Sequence, residues 1–211
     1  MQTNDLIEAL AKDTRSQGPS PMLALAGAAA VAVMIAAAVF FAVLGPRPDF
    51  AHAMGTSRFV LKFVVTGALA ATAFACTARL ARPGESLRGT ALLLLAPAIL
   101  IVAVAVEFQA IPSVDWEARW IGTNSLVCMM SIPLIGIGPL AVFLAALRYG
   151  APTRPRLAGA VAGLLAGGMG ALFYAAHCPD DSPFFVATWY TIAIAGLAVV
   201  GALAGQRLLR W

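Results

Sequence analysis

Six long apolar stretches, separated by short polar segments, set the pattern of this chain. Each is about 20 residues long, the length that a helix needs to cross the roughly 30 Å hydrocarbon core of a bilayer. The strands of a membrane β-barrel would alternate in polarity, and runs such as Ala24–Val43 do not. The pattern predicts an all-α membrane protein, a bundle of six transmembrane helices. The predicted spans are approximately Met22–Leu44, Phe59–Thr77, Thr90–Gln109, Leu126–Leu147, Leu157–Ala176 and Phe184–Gly205.

The composition agrees with this interpretation. Of the 211 residues, 61% are hydrophobic and only 11% are charged, whereas a soluble domain carries about 25% charged residues. A water-exposed surface cannot be built from so few charges, so the composition excludes soluble enzymes and nucleic-acid-binding domains. The net charge of +4 therefore indicates no nucleic-acid partner, and the lipid bilayer is the predicted surrounding.

The basic residues are divided unevenly between the two ends of the predicted spans. One side carries Lys12, Arg15, Arg79, Arg82, Arg88, Arg148, Arg154, Arg156, Arg207 and Arg210. The other side carries Arg47, Arg58 and Arg119, with Lys62 just inside the second span. Because short loops rich in Lys and Arg stay on the cytoplasmic side of a membrane, this distribution predicts that both termini are cytoplasmic.

Residues 1–21 precede the first span and are predicted to form a cytoplasmic tail, followed by a transmembrane domain over residues 22–211. Asp5, with Glu8 three positions later, resembles the start of a capped helix, and the apolar positions nearby share one face. So short a helix is marginal in water, and a solvated leader is one interpretation. A short acidic amphipathic helix on a Gly18–Pro21 tether also suits docking into a partner's groove. The candidate partner-binding residues are Asp5, Leu6, Ile7, Leu10 and Asp13.

Two charged residues, Lys62 and Glu107, lie closest to the predicted hydrocarbon. They fall at similar depth near the outer ends of two consecutive, antiparallel spans, so the sequence predicts an intramembrane ion pair between them. A charge inside a span can also mark a proton relay. The sequence shows no chain of carboxylates within its spans, which argues against a proton-driven pump.

Other features are explained by the membrane environment alone. Gly159, Gly163 and Gly167 recur every four residues in the fifth span, and small residues at this spacing let helix backbones approach closely. Packing within the bundle is the preferred interpretation, and a homodimer through these glycines is the alternative. Tyr174 and Tyr190 lie near predicted span ends and are interpreted as part of the aromatic belt at the outer interface.

Two of the three cysteines, Cys128 and Cys178, fall on the outer side of the predicted topology, and Cys76 falls near the inner side. In an oxidising compartment such a pair can close into a structural disulfide. It can also act as a sensor, because thiolates bind soft metal ions and are attacked first by oxidants. A catalytic dithiol is a third interpretation, but it needs a second pair to regenerate it. No obligatory cofactor is predicted. The candidate ligands of a transient soft metal ion are Cys128, Cys178, His177, Asp180 and Asp181.

Three segments of the chain resemble the NrsF-like family of six-span bacterial membrane proteins. They are TNDLIEALAKD (Thr3–Asp13), ALRYGAPTRP (Ala146–Pro155) and HCPDDSPFFVATWY (His177–Tyr190), of which the last is the most specific. The resemblance implies an inner-membrane anti-sigma factor, not an enzyme, that keeps an extracytoplasmic-function sigma factor from RNA polymerase. It also implies that Cys128 and Cys178 take part in the response to heavy-metal stress, such as chromate and cadmium. Combined with the reactivity of thiols, this predicts that the two cysteines sense a heavy metal or oxidation and release the sigma factor. The alternative function is a small transporter or metal-handling protein with an outer Cys/His site.

Overall fold

The structure is a computed structural model that describes residues 3, 5, 7 and 8, then 20–84 and 87–209. Within these residues it is helical and contains no strand. Six helices are long and apolar enough to cross a membrane, which confirms the predicted all-helical architecture and the number of long apolar helices. They are α1 (Pro21–Val43), α2 (Ser57–Leu80), α3 (Gly89–Ala110), α4 (Ser125–Leu147), α5 (Pro155–Ala175) and α6 (Pro183–Leu208). Each overlaps the span predicted for it.

Serine and proline residues mark where several of these helices begin. Ser20 precedes α1, and its hydroxyl oxygen accepts a hydrogen bond from the backbone N–H of Leu23 at 3.2 Å. Ser182 precedes α6 and accepts in the same way from Phe184 at 3.3 Å. A proline opens α1, α5 and α6, where it leaves no N–H unsatisfied and its φ angle already suits a helix.

The central helix of the bundle is α5. In the most apolar 18-residue stretch of α5, 72% of the residues are buried, whereas only 11% are buried in the corresponding stretch of α3. It packs mainly against α6, α2 and α4, while α1 packs on α4. At the periphery, α3 contacts α2 and the start of α6. The loops at the two ends of α5 are therefore connected, through this one helix, to most of the bundle.

The glycines of α5 form its contact with α6. A Cβ atom at Gly159 would collide with the backbone of Gly201, and one at Gly163 would collide with the backbone of Leu197. Such close approach requires small residues and agrees with packing inside the bundle. Because α6 of the same chain covers this face, Gly159, Gly163 and Gly167 are not available to a second copy. The homodimer predicted as an alternative at these glycines is therefore wrong.

The connections between helices gather at opposite ends of α5. At its beginning, the α2–α3 and α4–α5 connections touch, since the backbone N–H of Ala151 donates to the carbonyl oxygen of Ala81 at 3.0 Å. At its end, the α5–α6 loop meets the α1–α2 and α3–α4 connections. We call this second end the thiol end, because it holds Cys128 and Cys178.

Candidate functional site

The α5–α6 loop, residues 177–182, carries most of the candidate site residues. Two hydrogen bonds tie it to the α1–α2 connection. The ring Nδ1 of His177 lies 2.9 Å from the carbonyl oxygen of Gly45. The backbone N–H of Arg47 donates to the carbonyl oxygen of Ala176 at 3.0 Å. This ring nitrogen of His177 is therefore engaged by backbone rather than by a thiol.

Within the loop, Asp181 lies between two cations. Nζ of Lys62 is 2.5 Å from one carboxylate oxygen of Asp181, and Nη1 of Arg47 is 3.0 Å from the other. Lys62 is buried on α2 and also donates to the carbonyl oxygen of Cys178 at 2.7 Å. The ring of Phe59 lies 5.0 Å from the Lys62 ammonium, and such a ring face attracts cations. Buried charged contacts thus hold the loop against α2.

Arg47 makes a second, two-point contact with Asp49. Its Nε is 2.6 Å from Oδ1 and its Nη2 is 2.7 Å from Oδ2. These hydrogen bonds lower the pKa of Asp49 and raise the pKa of Arg47. Both groups are charged at neutral pH, so Arg47 bridges two carboxylates, one in the α1–α2 connection and one in the loop.

The neighbouring carboxylate, Asp180, connects the loop to the beginning of α4. It accepts hydrogen bonds from the backbone N–H groups of Thr123 at 3.1 Å and Asn124 at 2.9 Å. A carboxylate near a helix N-terminus is also favoured by the helix dipole. Since α4 begins at Ser125 and carries Cys128 in its first turn, Asp180 holds the two cysteine-bearing segments together.

We expect Asp180→Ala to lower the free energy of unfolding by about 1–2 kcal/mol, the range measured for lost helix caps. The N–H groups of Thr123 and Asn124 would lose their acceptor, and the start of α4 would lose its contact with the loop. Thermal unfolding in detergent micelles, followed by tryptophan fluorescence, measures the change. Asp115→Ala is the matched control, because Asp115 is exposed at the same end. Equal effects from the two substitutions would contradict the capping role.

Cys128 and Cys178 belong to one buried cluster next to the loop. Both are free thiols and both are 0% exposed. Sγ of Cys178 donates to the carbonyl oxygen of Asp180 at 3.7 Å, and the two thiols are near enough to interact electrostatically. Burial raises the pKa of Cys178, so this thiol is protonated at neutral pH. The structure brings the two outer cysteines together in a state that shields both from solvent.

Two tyrosines lie in the same cluster as these thiols. Tyr174 on α5 and Tyr190 on α6 are 0% and 1% exposed, and their ring centroids are 5.7 Å apart. Both residues belong to the buried cluster that contains Cys178, and the backbone N–H of Cys178 donates to the carbonyl oxygen of Tyr174 at 3.0 Å, yet neither hydroxyl makes a hydrogen bond to the described residues. The aromatic-belt interpretation is therefore wrong for these two residues, which lie inside the bundle.

The sequence contains one weak signal for Tyr174, and the structure adds one for Tyr190. Tyr174 precedes Cys178 by four residues, about one helical turn. Tyr190 ends the π-helical segment Val186–Tyr190, a distortion that is frequent at functional sites. Hydropathy shows neither signal and therefore predicts an interfacial position for both tyrosines.

The predicted metal ligands are not assembled around the thiols. His177, Asp180 and Asp181 each contact other groups, as described above. Among the residues that the structure describes, no three His, Cys, Asp or Glu side chains are placed to hold one ion. A soft metal ion bound by the two thiols stays a prediction.

Lys62 and Glu107 do not pair with one another. Glu107 lies 3.0 Å from Nε of Arg58 and 3.6 Å from Nη1 of Arg119, whereas Lys62 pairs with Asp181. Arg58 lies one turn before Lys62 on α2 and pairs with Glu107 on α3. The α5–α6 loop places Asp181 next to Lys62. The predicted Lys62–Glu107 ion pair is therefore wrong, because depth in the membrane does not determine which neighbour a side chain reaches.

The candidate partner-binding tail falls largely outside the described residues. Asp5 and Ile7 are described as helical and exposed, and Ile7 is 59% exposed. Leu6, Leu10 and Asp13 lie outside the described residues. The docking role of this tail stays a prediction.

Comparison with known proteins places the chain among regulators of transcription. The model of the NrsF family, described as "Negative regulator of sigma F", matches residues 10–211. The chain is 38% identical over 215 residues to the anti-sigma-F factor NrsF of Caulobacter vibrioides, and 33% identical over 214 residues to a probable anti-sigma-F factor NrsF of Azospira oryzae. Both alignments cover 100% of each chain. No solved structure matches the chain.

Proposed function

The chain belongs to the NrsF family of negative regulators of sigma F, and from this premise we propose that it is a membrane-bound anti-sigma factor. Its partner is an extracytoplasmic-function sigma factor of the F type, held at the bacterial inner membrane. The full-length match to the family is the observation that carries this proposal. Proteins of this kind regulate by binding rather than by catalysis, and the relatives are regulators, not enzymes.

The end of the bundle opposite the thiols is the proposed cytoplasmic face. Support comes from the basic residues of its connections, among them Arg79, Arg82 and Arg148, because Arg-rich short loops remain cytoplasmic. Both termini and residues 1–21 then face the cytoplasm, and the domain 22–211 spans the membrane. The acidic tail and its apolar positions provide the surface that binds the sigma factor.

The thiol end is the proposed sensor and faces the periplasm. Its support is a pair of free, buried thiols next to a loop that is tied to three other parts of the chain. Arg47 ties the loop to the α1–α2 connection, Lys62 ties it to α2, and Asp180 ties it to α4. Oxidation of Cys128 and Cys178, or a heavy-metal ion bound by both, changes two groups inside this packed cluster and displaces the loop.

The energy that such a switch requires is compatible with thiol chemistry. Moving an equilibrium from 1:99 to 99:1 takes about 5.5 kcal/mol of differential interaction. An exposed ion pair contributes about 1 kcal/mol at most, which is too little. A structural metal–thiolate site reaches about 10 kcal/mol or more. The signal then reaches the cytoplasmic face through α5 and α6, whose backbones approach closely at Gly159, Gly163 and Gly167.

Capture of the sigma factor tests the proposal directly. The full chain in micelles should retain a co-expressed F-type sigma factor under reducing, metal-free conditions, and Leu6→Asp should lower the retained amount about tenfold or more by placing a charge on the apolar face of the tail. Asp115→Asn, at the opposite end, is the control for general effects of mutation. Retention of no sigma factor, together with ion flux through vesicles that contain the chain, would instead support the small-transporter alternative.

Cys128→Ser and Cys178→Ser should each abolish release of the sigma factor by cadmium, chromate or hydrogen peroxide while leaving capture intact. Each substitution removes one of the two sulfur atoms on which a disulfide or shared metal depends. Cys76→Ser is the matched control, since Cys76 is also buried but lies near the other end of α2. Release is measured as sigma factor freed from immobilised chain. Normal release by both single variants would overturn the sensing role.

A further inference from the structure

The hydroxyl groups of Tyr174 and Tyr190 are buried, and neither has a hydrogen-bond acceptor among the described residues. Both tyrosines belong to the buried cluster that holds the Cys178 thiol, and the backbone N–H of Cys178 donates to the carbonyl oxygen of Tyr174 at 3.0 Å. Buried polar groups are nearly always hydrogen-bonded, and one without a partner requires an explanation. A neutral thiol is a weak acceptor, so Cys178 in its resting state does not satisfy them. The cluster around Cys178 therefore contains two hydroxyl donors without an acceptor in the described part of the chain, and an oxygen atom added to its sulfur would be an acceptor for them.

We propose, building on the thiol-sensing function above, that Tyr174 and Tyr190 bind the oxygen that a hydroperoxide transfers to Cys178. The sulfur of Cys178 attacks the terminal oxygen, the O–O bond breaks, and the thiol proton leaves with the departing alkoxide as an alcohol, or as water when the oxidant is hydrogen peroxide. The product is a sulfenic acid, Cys178–SOH. The two tyrosine hydroxyls donate hydrogen bonds to the transferred oxygen, which positions the hydroperoxide for attack and then holds the oxygen of the sulfenic acid.

Cys128 then completes the reaction as the resolving thiol. Its sulfur attacks the sulfur of Cys178–SOH, a disulfide forms, and the oxygen leaves as water with the Cys128 proton. The structure favours this order of roles. Cys178 lies in a loop, in the same cluster as both tyrosines and with its carbonyl held by Lys62 at 2.7 Å. Cys128 is part of the first turn of α4. The oxidation that displaces the loop therefore begins on the loop itself.

The hydroperoxide can arrive from the water at the thiol end or from the membrane. A cavity of about 260 Å³ lies among α2, α3, α5 and α6, is lined almost entirely by apolar side chains, and reaches Tyr190. Ala96 on α3 lines this cavity and is itself 3% exposed. A lipid-soluble hydroperoxide can use this space, whereas hydrogen peroxide can approach through the aqueous end.

The test traps the sulfenic acid with dimedone in the full-length Cys128→Ser variant in micelles, where no resolving thiol is present. Mass spectrometry reports the rate of adduct formation at Cys178 with hydrogen peroxide and with cumene hydroperoxide. Adding Tyr174→Phe or Tyr190→Phe should slow this rate about tenfold or more, while the melting temperature should not fall, because a buried hydroxyl without a partner does not stabilise the fold. Tyr149→Phe is the matched control, since Tyr149 is exposed at the opposite end.

Three results would overturn the inference. The first is an unchanged trapping rate in both phenylalanine variants. The second is a lowered melting temperature, which would reveal a structural partner for the hydroxyls. The third is faster trapping at Cys128 in Cys178→Ser than at Cys178 in Cys128→Ser.

Ala96→Leu fills the cavity and should slow trapping with cumene hydroperoxide alone if that oxidant arrives through the membrane. If it leaves both rates unchanged, the aqueous end is the route. The trapping assay contains no sigma factor, so its outcome is separate from failure of the anti-sigma function.

Discussion

Replacing Asp181 by asparagine is expected to destabilise the folded chain by about 3–5 kcal/mol, the cost of leaving a buried charge without its partner. That charge belongs to Lys62, whose side chain is 0% exposed. In the variant its ammonium retains the carbonyl oxygen of Cys178 at 2.7 Å but no carboxylate among its described contacts. Asparagine has nearly the same size as aspartate, so the loss of stability measures the effect of the missing charge and not of a changed side-chain volume. Reversible unfolding in mixed SDS micelles, followed by tryptophan fluorescence, measures it.

The companion variants separate a lost charge from a lost contact. Lys62→Met leaves Asp181 paired with Arg47 at 3.0 Å, so its expected cost is smaller, about 1–3 kcal/mol. The double variant should lose less than the sum of the two single losses, because it contains no unpaired buried lysine. Asp49→Asn is the matched control, since Asp49 also pairs with Arg47 but is 53% exposed. If Asp181→Asn is no more harmful than Asp49→Asn, buried charge does not hold the loop.

The six helices are predictable from the sequence because each apolar run has to satisfy its own backbone inside hydrocarbon. A helix does this without help from the rest of the chain, so the length of a run is sufficient evidence. Local signals such as Ser20 before α1 and Ser182 before α6 then fix where a run begins. The side of the membrane on which a residue lies follows from the number of spans before it, which is why Cys128 and Cys178 are predicted to share one end.

The lateral arrangement of side chains is not predictable in this way. Lys62 and Glu107 lie at similar depth, but depth says nothing about which helix each one faces, and Arg58 and Asp181 take the two positions instead. Hydropathy likewise cannot separate a tyrosine at the lipid interface from one buried against a thiol. Tyr174 is fully buried because α5 is surrounded by other helices, a property of the whole bundle rather than of its own sequence.

The thiol pair lies between these two cases. Its location at one end follows from topology, whereas its burial depends on residues distant in the chain. Asp180 reaches Thr123 and Asn124 across more than 50 positions, and Arg47 reaches Asp181 across more than 130. The sequence of His177–Ser182 predicts a polar loop with candidate metal ligands. In the structure, most of the polar groups in this segment instead form the contacts that hold the loop in place. The candidate site is therefore a pair of buried thiols beside a loop that ion pairs and hydrogen bonds hold in place.

The contact between α5 and α6 leads to the second large effect. Gly163→Val is expected to destabilise the chain by about 3 kcal/mol or more, at the upper end of the range for overpacking. The added Cβ would collide with the backbone of Leu197 and Ala198, and backbone cannot rotate away as a flexible side chain can. The two helices would have to separate, which would expose the buried face of α5 along its length.

Gly196→Val is the matched control, because it lies on α6 next to this contact and a Cβ there meets nothing within 4 Å. Both variants carry the same substitution inside a membrane helix, so they share the intrinsic effect of valine on helix formation. Unfolding in mixed SDS micelles should therefore show a large loss for Gly163→Val and a change within about 0.5 kcal/mol for Gly196→Val. Equal stabilities would mean that the backbones of α5 and α6 are not in contact.

Release of the sigma factor supplies a second measurement. If the signal travels from the thiol end along this contact, the folded fraction of Gly163→Val should still capture the sigma factor but should no longer release it when oxidant is added.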